Sequence, residues 1–107
     1  MGDTRFIYTT WPNAESAATA AREIVALRHA ACANVMAGAL SYFWWEGEVQ
    51  SETEVVVIFK TSLPRMKELR DAITEMHPYD MPGIVAIDID ETRSSRDFVE
   101  WIKKVTR

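Results

Sequence analysis

Five consecutive residues, Val55-Val56-Val57-Ile58-Phe59, are apolar without interruption. In a strand, successive side chains point to opposite faces of the sheet, so this strand must be buried on both sides. Tyr42-Phe43-Trp44-Trp45 makes the same demand, with Tyr42 and Trp44 on one face and Phe43 and Trp45 on the other. The chain has 107 residues, few enough that covering both faces of a sheet exhausts it. A second copy is the expected cover, and a homo-oligomer is the first functional expectation.

The remaining elements follow from periodicity and punctuation. Residues 5–10 (RFIYTT) predict a first strand, closed by Trp11-Pro12. Asn13 can cap a helix, along which Ala17, Ala20, Ala21, Ile24, Leu27 and Ala31 repeat at the three-to-four spacing of a buried stripe. A long second strand runs from Asn34 to Trp45 and could reach roughly 35–40 Å at ~3.3 Å per residue. Glu46-Gly47 then reads as a hairpin turn into the apolar third strand. Ser62 and Pro64 predict the start of a second helix, with Met66, Leu69, Ile73 and Met76 on its buried side. Ile84–Ile87 predict a fourth strand. Ser94-Ser95-Arg96-Asp97 has capping-box form and opens a last helix with Phe98, Trp101, Ile102 and Val105 on one side. The order β-α-β-β-α-β plus a C-terminal helix is the ferredoxin-like split βαβ arrangement, an α+β fold with an antiparallel sheet, in one domain over residues 1–107.

Charge and motifs exclude several classes of function. The formal net charge is −4, and the basic residues are scattered, so neither nucleic acid nor an anionic membrane is an expected partner. No stretch approaches the ~20 apolar residues of a membrane span. One cysteine, Cys32, forbids a disulfide within the chain. With no basic, apolar leader at the N-terminus, the expected location is the cytoplasm. No GxSxG, HExxH, CxxC or glycine-rich phosphate loop is present, and no enzyme is expected.

The split βαβ layout gathers Thr9, Trp45-Glu46 and His77–Tyr79 at one end of the sheet. There His77-Pro78-Tyr79-Asp80-Met81-Pro82 is a stiff corner, since each proline lacks a donor and restricts its predecessor. His77 can serve as a ligand or satisfy carbonyls at the end of the second helix. Cys32 begins strand two at the opposite end and reads as a packing residue. His29 reads as a solvated surface residue, and Glu46, Glu48, Glu52 and Glu54 as a charged edge that deters aggregation. Lys60, ending an apolar strand, reads as either an interface ion pair or an anion contact in an intersubunit cleft, where Trp45 and Tyr79 are the packing residues with polar handles.

AACANV (30–35), YFWWEGEV (42–49), EVVVIFKT (54–61) and HPYDMP (77–82), in this order and spacing, resemble the CutA family of divalent-cation-tolerance proteins nearly end to end. The resemblance implies a tight homotrimer similar to the PII signalling proteins, tolerance of copper and other divalent ions in bacterial members, and association with acetylcholinesterase anchoring in animal members. It implies no established reaction. Where some bacterial members carry copper ligands, this chain has Thr9, Met76 and His77, so His77 is the expected metal residue. Met76 is able to offer a thioether to Cu(I). Weak binding of copper or another divalent cation is the expectation, and Gly83 stands where the family usually has Glu. The alternative is a PII-like sensor or scaffold trimer that binds an anionic metabolite between subunits.

Overall fold

A computed structural model describes residues 2–107. Its elements are β1 (Thr4–Trp11), α1 (Ala14–Ala26), β2 (Cys32–Trp45), β3 (Glu48–Ser62), α2 (Met66–Met76), β4 (Ile84–Asp88) and α3 (Arg96–Val105). Short 3-10 turns at Leu63–Arg65 and Glu91–Arg93 precede α2 and α3. The sheet runs β2-β3-β1-β4 with every neighbouring pair antiparallel, which is the expected ferredoxin-like order.

One face of the sheet carries Ile7, Trp11, Val55, Val57 and Phe59. These pack with Ala17, Ala20 and Ile24 of α1 and Leu69 and Ile73 of α2 into one core. The small alanines let α1 approach the strands closely. Each fully buried large side chain here contributes about 1.5–3 kcal/mol. Asn13 caps α1 by accepting the Ser16 N–H at 2.8 Å. The helix ends with Arg28 at φ 63°. There the His29 N–H reaches the Ile24 carbonyl and the Arg28 N–H reaches Val25, a Schellman closure that usually employs glycine.

The second face of the sheet differs from the sequence expectation. α3 lies across it, burying Val99 and Ile102 outside the main core. Half of the predicted stripe on α3 is therefore displaced: Phe98 and Trp101 stack on each other at 5.6 Å and remain exposed. The chain covers one end of this face by itself, while Tyr8, Val85 and Ile87 stay exposed. Ser62 also departs from expectation. It caps no helix, because the 3-10 turn intervenes, and its Oγ instead bonds Thr106 Oγ1 at 2.6 Å. Ser95 supplies the cap of α3, accepting the Phe98 N–H.

The β2–β3 hairpin turns through Glu46 at φ 50° and Gly47 at φ 81°, the two positive values of a type I′ turn. Between Met36 and Ala39 the register shifts. Ala37 and Gly38 oppose the single residue Val55, and Gly38 takes φ 82°, which is a β-bulge. The bulge reverses which face of β2 the even-numbered residues occupy.

Candidate functional site

β1 stops at Trp11, opposite Val55. Beyond it, residues 48–54 of β3 pair only with β2, and the hairpin continues as a two-stranded arm in which the β3 edge is open as well as the outer edge of β2. After the bulge, Phe43, Trp45, Gln50, Glu52 and Glu54 share one side of this arm, because residues directly opposite each other in the register face the same way. Leu40, Tyr42, Trp44 and Val49 crowd the other side and are exposed, Trp44 to 74%. The HPYDMP corner, leaving α2, runs along the open β3 edge. Between arm and corner lies a cavity of about 720 Å³.

A chain of contacts fixes the corner to the sheet. The Trp11 indole N–H donates to Thr9 Oγ1 at 2.7 Å, and the Thr9 hydroxyl donates to the Val57 carbonyl at 2.8 Å. Trp11 stacks on the His77 ring with centroids 4.2 Å apart. His77 Nε2 lies 2.7 Å from the Thr10 carbonyl, while Nδ1 accepts the Tyr79 N–H at 3.1 Å. A carbonyl can only accept, so the ring is assigned the Nε2–H form with both nitrogens engaged. The Tyr79 hydroxyl then donates to Glu54 Oε2 at 3.3 Å. Burial, and next the adjacent Glu54 carboxylate, push the Tyr79 phenol above its ordinary range, so the hydroxyl stays a donor at neutral pH.

Glu54 is the residue that sequence reasoning missed. As part of a charged hairpin it was expected in solvent, yet it is 8% exposed and lines the cavity with Glu52 and Asp80. The available signal was its position at the junction of an acidic hairpin and an apolar strand. Phe43, Trp44, Trp45 and Tyr79 supply the cavity's aromatic surface, and Thr10 closes its base. Of the residues expected at this end, the structure brings Trp45 and Tyr79 to the cavity and buries Thr9 beneath it.

Lys60 lies elsewhere. Its Nζ sits 5.3 Å from the ring centres of both Phe6 and Phe98, on the face covered by α3. Within one chain it is therefore not beside Trp45 or Tyr79. Cys32 pairs directly across from Lys60. It is half-buried rather than a core residue, and burial raises its thiol pKa while Lys60 opposes that. His29 is half-buried as well, with Nδ1 3.3 Å from Arg65 Nη1, and its carbonyl accepts the Thr61 hydroxyl at 2.7 Å. It is a fixed element of the fold rather than a free surface histidine.

The possible metal ligands can be judged by their present partners. Thr9 Oγ1 is committed to Trp11 and Val57. Met76 packs against the core. His77 presents a free lone pair only if the Tyr79 N–H is displaced. Among the described residues, no three His, Cys, Asp or Glu side chains are gathered closely enough to hold a metal ion.

The profile of the family described as CutA1 divalent ion tolerance protein matches residues 5–105. The chain belongs to the CutA family. The divalent-cation tolerance protein CutA of Thermococcus kodakarensis is 41% identical, over 92% of each chain. The chloroplastic CutA of Arabidopsis thaliana is 38% identical over 94% of this chain and 54% of its own length. Among solved structures, the divalent cation tolerance protein of Thermus thermophilus superposes with a TM-score of 0.92 at 32% identity, covering 97% of this chain and 99% of that one. The PII-like protein CutA from Nostoc sp. PCC 7120, in its apo form, gives 0.89 at 33% identity, with 96% and 97% covered.

Proposed function

We propose that this member of the divalent-cation tolerance family is a cytoplasmic, non-enzymatic homotrimer that handles cations at the junction of hairpin arm and HPYDMP corner. The observation that carries the reading is the charge of the cavity there: its ionisable wall consists of Glu52, Glu54, Asp80 and the Tyr79 phenol, with no lysine or arginine among the described lining residues. Such a wall favours positive ligands over anions. Assembly is supported by the exposed apolar side of the arm, Leu40, Tyr42, Trp44 and Val49, and by the open edge of β3. The threefold symmetry comes from the family resemblance.

Copper is the ion to test first, at His77. Its capture requires the imidazole to give up the Tyr79 N–H and offer Nδ1 instead. Calorimetric titration of the intact assembly with Cu²⁺, on wild type and His77→Ala, tests this. Saturable binding near one ion per chain that is lost in the variant supports His77; binding indifferent to the substitution removes it. Light scattering on the same samples should give about three times the 12.2 kDa chain mass.

The second reading, a PII-like sensor of an anionic metabolite, draws on the aromatic surface of Phe43, Trp45 and Tyr79, which a bare ion does not need. Because Lys60 is remote from this cavity in its own chain, an anionic ligand there requires a basic residue from a neighbouring subunit.

A further inference from the structure

The size of the cavity and the spacing of its charges narrow the kind of cation it takes. A hard divalent ion needs several oxygens at about 2.0–2.6 Å from one point. Glu52, Glu54 and Asp80 line one cavity, yet they are not gathered into such a set. A space of about 720 Å³ is also far larger than an ion requires, and lies within the ~300–1,000 Å³ of small-molecule sites. The carboxylates are thus distributed over a wall instead of converging.

Two further observations point to an organic ligand. Glu54 is more than nine-tenths buried, but among the described residues its carboxylate receives one side-chain hydrogen bond, from Tyr79 at 3.3 Å, and no ion pair. The oxygen that Tyr79 does not bond is not sealed off without a partner, so it is open to a ligand in the cavity. The cavity also sets Phe43, Trp45 and Tyr79 beside these carboxylates, and aromatic faces attract ammonium groups as well as methylene chains.

We infer that the cavity between the arm and the HPYDMP corner binds a linear aliphatic polyamine, with one ammonium paired to Glu54, another to Glu52 or Asp80, and the connecting methylenes against Trp45 and Tyr79. The ligand supplies Glu54 with the cationic partner that its own chain does not provide among the described residues, and its spaced charges match carboxylates that are spread along a wall. This goes beyond divalent-cation handling and does not depend on His77 accepting a metal.

The test is calorimetric titration of the intact assembly with spermidine at low and at physiological salt, with manganese chloride as a parallel titrant. Wild type is expected to show saturable spermidine binding that persists at physiological salt. Affinity should fall at least tenfold in Glu54→Gln and in Trp45→Ala. Circular dichroism and light scattering identify any variant that fails to fold or assemble, and Glu52→Gln and Asp80→Asn, on the cavity's more exposed wall, then take the place of Glu54→Gln. Absence of saturable spermidine heat overturns the proposal, as does an affinity unchanged in the carboxylate variants. So does manganese saturating the cavity through Glu54 where spermidine does not. The copper titration with His77→Ala reads the divalent-ion proposal separately, so either can fail alone.

Discussion

The two ends of the sheet treat their carboxylates in opposite ways. At the end where β1 begins, Glu91 is paired: Lys103 Nζ lies 2.8 Å from Oε1, and the Thr4 N–H donates to Oε2 at 2.9 Å. Ser62 and Thr106 bond each other, and Arg65 Nε donates to the Thr106 carbonyl at 3.0 Å. α3 closes this end. At the end where β1 stops, no third strand backs the arm, Glu54 has only the Tyr79 hydroxyl among the described residues, and aromatic side chains stand in solvent. The ion pair to a half-buried carboxylate is made where α3 closes the fold; the end whose carboxylate has no cationic partner among the described residues is the part organised toward something outside the chain. The contrast predicts that damage at the closed end appears as lost stability and damage at the open end as lost binding or assembly.

The largest expected effect tests that division directly. Ile102 is fully buried under α3, and Ile102→Ala should lower the unfolding free energy by about 2–5 kcal/mol, the cost of a lost buried side chain and the cavity left behind. Tyr42 on the arm is 69% exposed, so Tyr42→Ala should change the intrinsic stability of the chain by less than about 0.5 kcal/mol while weakening self-association. Chemical denaturation and light scattering on both variants read the two quantities. Comparable stability losses in both would break the distinction between the ends.

A change of binding without collapse is expected from the bulge. Deleting Gly38 removes the extra residue that opposes Val55, while Ala39–Trp45 keep their partners on β3 through the Glu46-Gly47 turn; what is lost is the local bend and added twist that the bulge gives the arm. Phe43 and Trp45 would keep the side they share with Gln50, Glu52 and Glu54, but straightening the bulge would re-aim that side of the arm relative to the corner. The core of α1, α2 and the central strands contains nothing from residues 39–45, so the body should remain folded by circular dichroism. Ligand binding should fall at least tenfold. Retained binding would show that the cavity does not depend on that side of the arm.

This bulge also marks where the sequence stopped being legible. The apolar run at Val55–Phe59 and the alanine stripe of α1 state their periods openly, and both the strand order and the core follow from them. Alternation likewise separates Tyr42 and Trp44 from Phe43 and Trp45, but counting along β2 assigns the wrong pair to the corner, because the bulge at Gly38 shifts the alternation by one residue, and Ala37-Gly38 carries no periodic signature. The surroundings of Lys60 within its own chain were not legible because the path of α3 over the second face is decided by tertiary packing. The placement of Phe98 on Lys60, and of Val99 and Ile102 on the sheet, overrides the expected stripe. Glu54 was read as solvated because a carboxylate next to other carboxylates is normally so, and its burial depends on a Tyr79 that is remote in sequence.

The smallest expected effect concerns pH and separates the two glutamates. Lys103, followed by the Thr4 contacts, lowers the Glu91 pKa from 4.5 to about 2, against the opposing effect of burial. A carboxylate whose folded pKa is depressed contributes stability that is complete above its unfolded value. That contribution is lost as pH falls toward the folded one. Wild type should therefore lose stability between about pH 4.5 and pH 2. Glu91→Gln should be less stable at pH 7 and show a shallower acid limb over the same window, measured by thermal unfolding at a series of pH values. Glu54→Gln has no ion pair to lose among the described residues and should cost less stability at pH 7 than Glu91→Gln does. If instead Glu54→Gln lowered the stability at pH 7 as much as Glu91→Gln does, the open end would be bearing part of the fold's stability, and its carboxylate could not be regarded as held in reserve for a ligand.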